Sequence, residues 1–533
     1  MRTLSAVLLA SCLLPVRPAA AEEYDLLIKG GRLVDGTGAP WRRADVAVTG
    51  DRIVAVLPRI DAPARHTVDT AGRVVAPGFI DIHTHARRGI FEVPTADNYV
   101  RQGVTTLVEG QDGSSPLPLG AFLSKVEALR PAVNFATLVG HGSGREAVMG
   151  RADRAPSSAE LVQMEGLVRE AMGEGAFGLS TGLFYVPGTF ARTDEVIALA
   201  RVAGAMGGIH VSHMRDEAAG VVASVRETIA IGEEGRLPTQ VTHHKAIGRA
   251  AWGRSAETLQ LLEEARRRGV DATVDAYPYT ASSTGLAAAL LPAWALEGSA
   301  DARRGRLESP ATRARVREVV VDKIRNERGG GDPGNIQIAA CGFDSSLEGK
   351  TLAEILVGRG LAPTVENAAD LALEIVEKGG ASGVFHAISE EDVERILASP
   401  LTMVASDGEI PVFGEGAPHP RSYGTFARVL GVYVREKKLL TLEEAVRKMT
   451  SLPAARLGLA DRGLVRPGMV ADLVVFDPGA VRDRATFERP HQYAEGVLLV
   501  VVGGAVVLDG AGPTGARPGR VLRGAGASSP VAY

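Results

Sequence analysis

Short apolar segments alternate with helix-like segments along this chain, and this alternation limits the possible folds more than any other feature of the sequence. Eight of the apolar segments have the pattern of strands: residues 79–83, 104–109, 135–141, 176–180, 208–213, 239–243, 270–277 and 401–407. Strands separated by helices indicate a parallel α/β body, and eight is the number that a (β/α)8 TIM barrel requires. We therefore predict a TIM barrel over residues 76–465.

Helix signals between the strands agree with that prediction. Ser157 precedes Glu160 by three residues, a spacing typical of a capping box, and an apolar face follows. A second helix pattern covers residues 257–268 and ends at Gly269. Both patterns lie between strand candidates, where a barrel needs its crossover helices.

The two ends of the chain differ from this body. Residues 22–75 contain short strand patterns around glycine turns such as Gly30-Gly31 and Gly50-Asp51, and residues 466–533 return to the same pattern. We expect the two ends to form one small composite β-sandwich domain.

The seventh and eighth predicted strands are separated by residues 278–400, which is too long for a simple crossover connection. Gly329-Gly330-Gly331 and Pro333 lie inside this span. We predict an inserted lobe over about residues 283–400, before the last barrel strand, and a lid over the barrel mouth is one role open to it.

The N-terminus has the pattern of a secretory leader. Arg2 precedes the apolar residues 4–14, and Ala19-Ala20-Ala21 offers a cleavage site of small residues. We predict that residues 1–21 are a signal peptide and that the mature protein is periplasmic or secreted. The alternatives are a lipid anchor at Cys12 and an N-terminal core helix, which Pro15 and Pro18 disfavour. Removal of the leader leaves one cysteine, Cys341, and therefore no internal disulfide.

Composition and charge exclude several classes of partner. The 533 residues are 45% hydrophobic, enough for one large core and a smaller domain, and the net charge is -4. Such a chain has no basic field with which to hold a nucleic acid. Beyond the leader, no segment reaches the ~20 apolar residues that a membrane span needs. We expect a small-molecule ligand, and the sequence does not indicate an oligomeric state.

Reactive side chains stand where the predicted strands end. They are His83, His85, His213, His243, Tyr277 and Asp407. The carboxyl ends of the strands carry the active site in TIM barrels, and imidazoles with carboxylates can hold a divalent metal that lowers the pKa of water to roughly 7. The pattern indicates a metal-dependent hydrolase in which Asp407 moves a proton. The alternatives are ordinary polar residues for the histidine pair and a helix N-cap for Asp407.

These residues belong to motifs that occur in the same order in a known group of enzymes. The chain resembles the amidohydrolase superfamily and, within it, the N-acyl-D-amino-acid deacylases, also called D-aminoacylases. The matching motifs span nearly the whole mature chain, and they include Asp81-Ile82-His83-Thr84-His85, Gly103-Val104-Thr105-Thr106, Gly140-His141-Gly142, Ser212-His213-Met214-Arg215, His243-His244-Lys245, Ser406-Asp407-Gly408 and His419-Pro420-Arg421.

The resemblance implies the fold, the reaction and the roles of individual residues. It implies hydrolysis of N-acyl-D-amino acids by metal-activated water, with zinc as one or two divalent ions. The metal ligands would be His83, His85, His213 and His243, together with Asp407, which is also the catalytic base. Lys245, Tyr277 and Arg421 would bind the carboxylate of the substrate. Tyr185 and His141 would add substrate contacts, although a structural role is equally open for His141.

One departure from the family affects the metal site. D-aminoacylases place a metal-binding cysteine after the second strand, whereas this chain has Glu109-Gly110-Gln111-Asp112-Gly113. Zinc accepts carboxylate oxygens as well as sulfur, so either Asp112 or Glu109 can take the place of the thiolate. A carboxylate is a harder ligand and alters metal preference or the number of ions bound.

Other functions remain open at this point. The same barrel can hydrolyse D-terminated dipeptides or cyclic amides of the hydantoin and dihydropyrimidine type. A non-enzymatic binding protein is the alternative from a different class, but binding alone does not need a proton carrier such as Asp407.

Overall fold

The structure is a computed structural model that describes residues 23–528. The predicted signal peptide, including Cys12, lies outside the described residues. Within residues 23–528, no helix combines the length and the apolar character needed to cross a membrane. Cys341 is buried and unpaired, as expected of a small apolar side chain.

The strands of the described chain follow one another in two groups at the ends and one group between them. Their bounds are β1 Tyr24–Leu33, β2 Arg42–Thr49, β3 Arg52–Leu57, β4 Ala64–Asp69, β5 Val74–Pro77, β6 Phe79–Asp81, β7 Val104–Glu109, β8 Asn134–Thr137, β9 Val139–Gly140, β10 Gly178–Gly182, β11 Ile209–His213, β12 Thr239–Val241, β13 Ala272–Ala276, β14 Ala281–Gly285, β15 Ile336–Ala340, β16 Ser382–His386, β17 Thr402–Val404, β18 Leu473–Phe476, β19 Val497–Val502, β20 Ala505–Asp509 and β21 Gly512–Pro513.

Helices connect most of the central strands. Their bounds are α1 Asp97–Val100, α2 Leu119–Leu129, α3 His141–Met149, α4 Ser158–Glu174, α5 Thr193–Ala205, α6 Val221–Gly235, α7 Ser255–Arg267, α8 Leu286–Leu290, α9 Ala300–Glu308, α10 Pro310–Lys323, α11 Leu352–Gly358, α12 Val365–Glu377, α13 Glu390–Ala398, α14 Arg421–Arg428, α15 Leu442–Met449 and α16 Ser451–Leu457. The predicted capping box opens α4, where the Ser157 hydroxyl accepts from the Glu160 amide at 3.3 Å.

The predicted parallel α/β body is confirmed. β6, β7 and β8 form one parallel sheet, and β9, β10, β11, β12, β13 and β17 form a second in that order. Only Leu138 separates β8 from β9 along the chain. On the other side, Thr84 and Gly408 form a parallel bridge, and the His85 amide donates to the Gly408 carbonyl at 2.7 Å. The strand ends therefore face one common region.

The two ends of the chain meet in one sheet. β18 pairs antiparallel with β5, so the described sheet runs β21-β20-β19-β18-β5-β1-β2-β3, with β4 beside β1. Alternating apolar residues of β1 and β2, among them Leu26, Ile28, Val46 and Val48, bury one face. The prediction was one composite β-sandwich domain built from both chain ends, and the hydrogen bonds join all nine described strands into a single sheet.

A separate lobe stands between β13 and β17. β14, β16 and β15 form a small antiparallel sheet, and its helices share an apolar core that extends from Leu286 to Phe385. The predicted insertion extended to about residue 400 and included α13, but α13 does not pack into the core of the lobe. Its apolar face, Val393, Ile396 and Leu397, belongs to the core around β12 and β13 because that face lies against the parallel strands.

Three aromatic rings join the parallel body to the composite sheet. Phe426 of α14 is fully buried and stacks on Phe79 of β6 with ring centroids 5.7 Å apart. Phe79 also contacts Phe476 of β18 at 6.3 Å. These three rings belong to one apolar core that both sheets share.

We expect Phe426→Ala to lower the free energy of unfolding by about 3–5 kcal/mol, because it removes a fully buried ring and leaves a cavity. Denaturant unfolding measures this loss. Phe413→Ala is the matched control, since 53% of Phe413 is exposed, and it should change stability by less than about 1 kcal/mol. Equal losses in both variants would contradict the assigned packing.

Candidate active site

Side chains from several strand ends converge on one point. His83 and His85 follow β6, Asp112 follows β7, and His213 is the last residue of β11. His243 and Asp407 come after β12 and β17, which end two and three residues earlier. The strands are thus slightly shorter than predicted, but the order and the meeting point of these residues are as the sequence indicates.

The Asp112 carboxylate lies at the centre of four imidazoles. Its Oδ1 is 3.6 Å from Nε2 of His83 and 3.3 Å from Nε2 of His243. Its Oδ2 is 3.4 Å from Nε2 of His85 and 3.5 Å from Nδ1 of His213. Burial raises the pKa of this carboxyl, but the imidazoles outweigh that effect and hold its pKa well below the ordinary value. Asp112 is therefore an anion placed between two pairs of possible ligands.

The turn after β7 is shaped to place Asp112 there. Asp112 itself has φ +56°, and Gly110 and Gly113 have φ +83° and +73°. A Cβ on Gly110 would come within 2.3 Å of the Leu138 carbonyl oxygen, and one on Gly113 would come within 2.6 Å of the Gly182 nitrogen. Only glycine fits at these two positions, so the turn can press against the neighbouring strands.

Asp407 joins the same cluster from β17. Its Oδ1 lies 3.0 Å from Nε2 of His85 and 3.5 Å from Nε2 of His83, and its Oδ2 is 2.6 Å from Nη1 of Arg421. Burial raises the pKa of Asp407, yet the positive charge of Arg421 and the imidazoles hold it below the ordinary value. Asp407 has φ +52°, a strained conformation that occurs often at functional sites.

Several polar atoms of this cluster are buried without a hydrogen-bond partner in residues 23–528, which is rare in proteins. They are both ring nitrogens of His83 and of His213, Oδ1 of Asp112 and Oδ1 of Asp407. Their ligand atoms fall into two groups, each within 4.8 Å: His83, His85, Asp112 and Asp407 in one, and Asp112, His213 and His243 in the other. Imidazoles with carboxylates are a donor set that suits a divalent metal such as zinc. The residues present therefore fit a metal centre.

Glu109, the other candidate for the missing thiolate, lies in neither group. It is buried at the end of β7, and its Oε2 accepts from the backbone amide of Arg87 at 3.0 Å. Its Oε1 is 3.5 Å from Nε of Arg87. Asp112, and not Glu109, stands among the imidazoles.

The sequence analysis missed two carboxylates that hold the histidines. Glu217 Oε1 accepts from Nζ of Lys245 at 2.6 Å and lies 3.1 Å from Nδ1 of His243. Asp275 Oδ1 accepts from the His243 amide at 2.7 Å and lies 3.6 Å from Nδ1 of His83. Such partners orient metal-binding imidazoles. Asp275 could have been found as a charged residue inside an apolar strand, whereas no local pattern marks Glu217.

Of the predicted carboxylate-binding residues, Lys245 and Arg421 line a cavity of about 790 Å³, and Tyr277 lies beside both of them. Cζ of Arg421 is 4.9 Å from the ring centroid of Tyr277, and Nζ of Lys245 is 5.6 Å from it. The Tyr277 hydroxyl is buried and has no hydrogen-bond partner in the described part of the chain. Two cations and a hydroxyl without a hydrogen-bond partner thus lie beside the imidazole and carboxylate cluster. They can bind an anionic group of a substrate.

Of the two further residues predicted to contact the substrate, Tyr185 lines the cavity and His141 lies outside it. Tyr185 lines the cavity, packs on His213 with centroids 4.6 Å apart and shares a hydrogen bond of 3.0 Å with Thr284 of the lobe. His141 does not line the cavity; its Nε2 is 2.9 Å from Glu195, which also binds Arg145. This geometry favours the structural role for His141.

Comparisons with known proteins agree with this geometry. The model of the amidohydrolase family matches residues 66–508. A D-aminoacylase of Alcaligenes xylosoxydans xylosoxydans is 40% identical over 525 residues, which are 94% of this chain and 98% of that protein.

Two solved structures share the fold along almost the whole chain. One is N-acyl-D-glutamate deacylase from Bordetella bronchiseptica, complexed with zinc and a phosphonate inhibitor, at TM-score 0.80 and 39% identity, covering 94% of this chain and all of that one. The other is a D-aminoacylase with a binuclear metal centre, at TM-score 0.80 and 38% identity with the same coverage. On this combined evidence, the chain is a member of the amidohydrolase family.

Proposed function

We propose that this protein is a metal-dependent deacylase that hydrolyses N-acyl-D-amino acids to a carboxylate and a free D-amino acid. The observation that carries the proposal is the juxtaposition of the imidazole and carboxylate cluster around Asp112 with the cationic wall formed by Lys245 and Arg421. A substrate whose carboxylate meets that wall presents its acylated nitrogen to the cluster. The D configuration is supported by the activities for which the similar proteins are named.

We infer a centre of two divalent ions, with zinc as the metal. His83, His85, Asp112 and Asp407 would hold one ion, and Asp112, His213 and His243 the other, so that Asp112 is shared. The zinc and the binuclear centre reported for the two similar structures support this inference. When bound, the metal polarises the acyl carbonyl and lowers the pKa of water to about 7.

The protein's own residues supply orientation and proton transfer. Lys245, Arg421 and the Tyr277 hydroxyl bind the substrate carboxylate and fix the position of the amide. The Asp407 carboxylate accepts the proton of the attacking water and delivers it to the leaving nitrogen. The ion pair with Arg421 keeps Asp407 ionised, as a base must be before the reaction begins.

Cyclic amides and non-catalytic binding fit the site less well. A hydantoin or dihydropyrimidine ring has no free carboxylate to meet Lys245 and Arg421. A binding protein has no use for the strained, buried Asp407 next to the imidazoles. A D-terminated dipeptide carries the same carboxylate and remains a possible substrate of this centre.

We also propose that the two parallel sheets form one closed (β/α)8 barrel over residues 76–465, with the composite β domain of residues 22–75 and 466–533 beside it. The single residue between β8 and β9 supports closure on one side. The bridge between Thr84 and Gly408 supports it on the other. Closure matters for function because it brings β6 and β17, and with them His83 and Asp407, next to each other.

We further propose export of the protein to the periplasm or the medium, on the strength of Arg2, the apolar residues 4–14 and Ala19-Ala20-Ala21. N-terminal sequencing of the protein from its native host should give Glu22 as the first residue. A lipid-modified N-terminus at Cys12 would favour the anchored alternative, and retention of Met1 would reject export through this leader.

The activity is tested with a matched panel of N-acetyl-D-amino acids, N-acetyl-L-amino acids and D-terminated dipeptides. We expect release of free amino acid from D substrates, and a fall of about 100- to 10,000-fold in Asp407→Asn, the usual range for the loss of a general acid–base group. Metal analysis of both proteins accompanies the assay. Hydrolysis of L substrates alone, or normal turnover by Asp407→Asn, would reject the proposal.

The shared ligand is tested with Asp112→Asn and the matched control Glu109→Gln, both isosteric. We expect Asp112→Asn to lose at least half of its bound metal and to weaken metal affinity by more than about 100-fold, the upper range for changes to partners outside the ligand set. Glu109→Gln should retain the metal, because Glu109 contacts Arg87 instead. Elemental analysis after dialysis measures both, and full metal content in Asp112→Asn would exclude the assigned role.

A further inference from the structure

One cation on the cavity wall has no anionic or hydrogen-bond partner among the residues that the structure describes. Arg328 ends the π-helical turn Ile324–Arg328 of the lobe, is 3% exposed and lines the cavity. Its Cζ lies 5.0 Å from the ring centroid of Phe184, and its Nε is buried without a hydrogen bond. Among the contacts of residues 23–528, Arg328 forms neither a hydrogen bond nor an ion pair with a side chain.

The other cations of the cavity wall differ from Arg328 in this respect. Each of them has a carboxylate oxygen between 2.5 and 3.5 Å away; they are Arg87, Arg88, Arg151, Lys245 and Arg421. A buried charge without a partner is strongly unfavourable, since it has lost its hydration without compensation. A buried guanidinium at the wall of an active-site cavity, with no carboxylate to compensate its charge, can bind an anionic group of the substrate.

The position of Arg328 in the cavity indicates which part of the substrate carries the anionic group that it would bind. Phe184, on which Arg328 packs, stacks in turn on His213 with centroids 5.5 Å apart. The π-helical turn that carries Arg328 also packs against Gly248, three residues after Lys245, since a Cβ on Gly248 would come within 3.1 Å of Glu327 Cα. Lys245 belongs to the cavity wall assigned to the amino-acid carboxylate, so Arg328 is on the amino-acid side of the scissile amide.

We propose that Arg328 binds a second carboxylate, on the side chain of the amino acid, and that the protein prefers N-acyl derivatives of acidic D-amino acids. This inference rests on the deacylase function proposed above. Lys245 and Arg421 already share their charge with Glu217 and Asp407, whereas the whole charge of Arg328 is available. A guanidinium offers a planar fork of donors that matches a carboxylate.

The test compares N-acetyl-D-glutamate with N-acetyl-D-glutamine, which has nearly the same shape and lacks the side-chain charge. We expect the wild-type protein to have a kcat/KM roughly 10- to 100-fold higher for the glutamate compound, the range for hydrogen bonds to a charged group, with most of the difference in KM. In Arg328→Met this ratio should fall to about 1, because only the glutamate compound loses a partner. Arg328→Lys should restore part of the ratio.

Arg151→Met is the matched control. Arg151 lines the same cavity but is paired with Glu146 at 2.9 Å, so this variant should keep the wild-type ratio. The melting temperature of each variant is measured beside the kinetics. Removal of an unpaired buried charge should not lower it.

The outcomes separate this inference from the proposed function. Hydrolysis of neutral N-acyl-D-amino acids without a preference for the glutamate compound overturns the role of Arg328 and leaves the deacylase function intact. Equal losses on both substrates in Arg328→Met, with a lower melting temperature, show a structural role and also overturn it. A lack of hydrolysis of every D substrate rejects the deacylase function, and the inference falls with it.

Discussion

The buried carboxylate of Asp112, surrounded by four imidazoles, is the constraint on which the rest of the active site depends. A charge withdrawn from water must be compensated by its neighbours, and here the compensation comes from side chains carried by three other strand ends. Those side chains are in turn held by Asp275 and Glu217. These outer carboxylates orient the imidazoles that surround Asp112.

The same carboxylates also fix the positions of the cations on the cavity wall. Glu217 joins Lys245 to His243, and Asp407 joins Arg421 to His85. The two cations proposed to bind the substrate carboxylate are therefore tied to the same carboxylates that contact the imidazoles. Because both links are buried and short, a substrate bound to the cationic wall as proposed would have its amide in a fixed relation to the reacting centre. The lobe completes the wall through Thr284, which contacts Tyr185, and through Arg328.

Much of this arrangement was predictable because the relevant signals are local. The alternation of strand and helix patterns predicted the parallel body, and the capping box at Ser157 marked the start of α4. His83, His85, His213, His243 and Asp407 were predictable because each follows an apolar strand, and parallel strands present their carboxyl ends at one edge. The end of the lobe was misplaced since α13 has the same amphipathic pattern as the lobe helices, and only its packing on β13 distinguishes it.

The sequence by itself determined which residues are candidates for the chemistry, because their types and their positions after strands are written along the chain. Tertiary structure decided which of them act together. Asp112 and Glu109 are both carboxylates near the end of β7, and only the turn through Gly110 and Gly113 places one among the imidazoles and leaves the other beside Arg87. His141 pairs with Glu195, and Arg328 pairs with no side chain of residues 23–528. Such pairings join residues far apart in the chain, and no local pattern contains them.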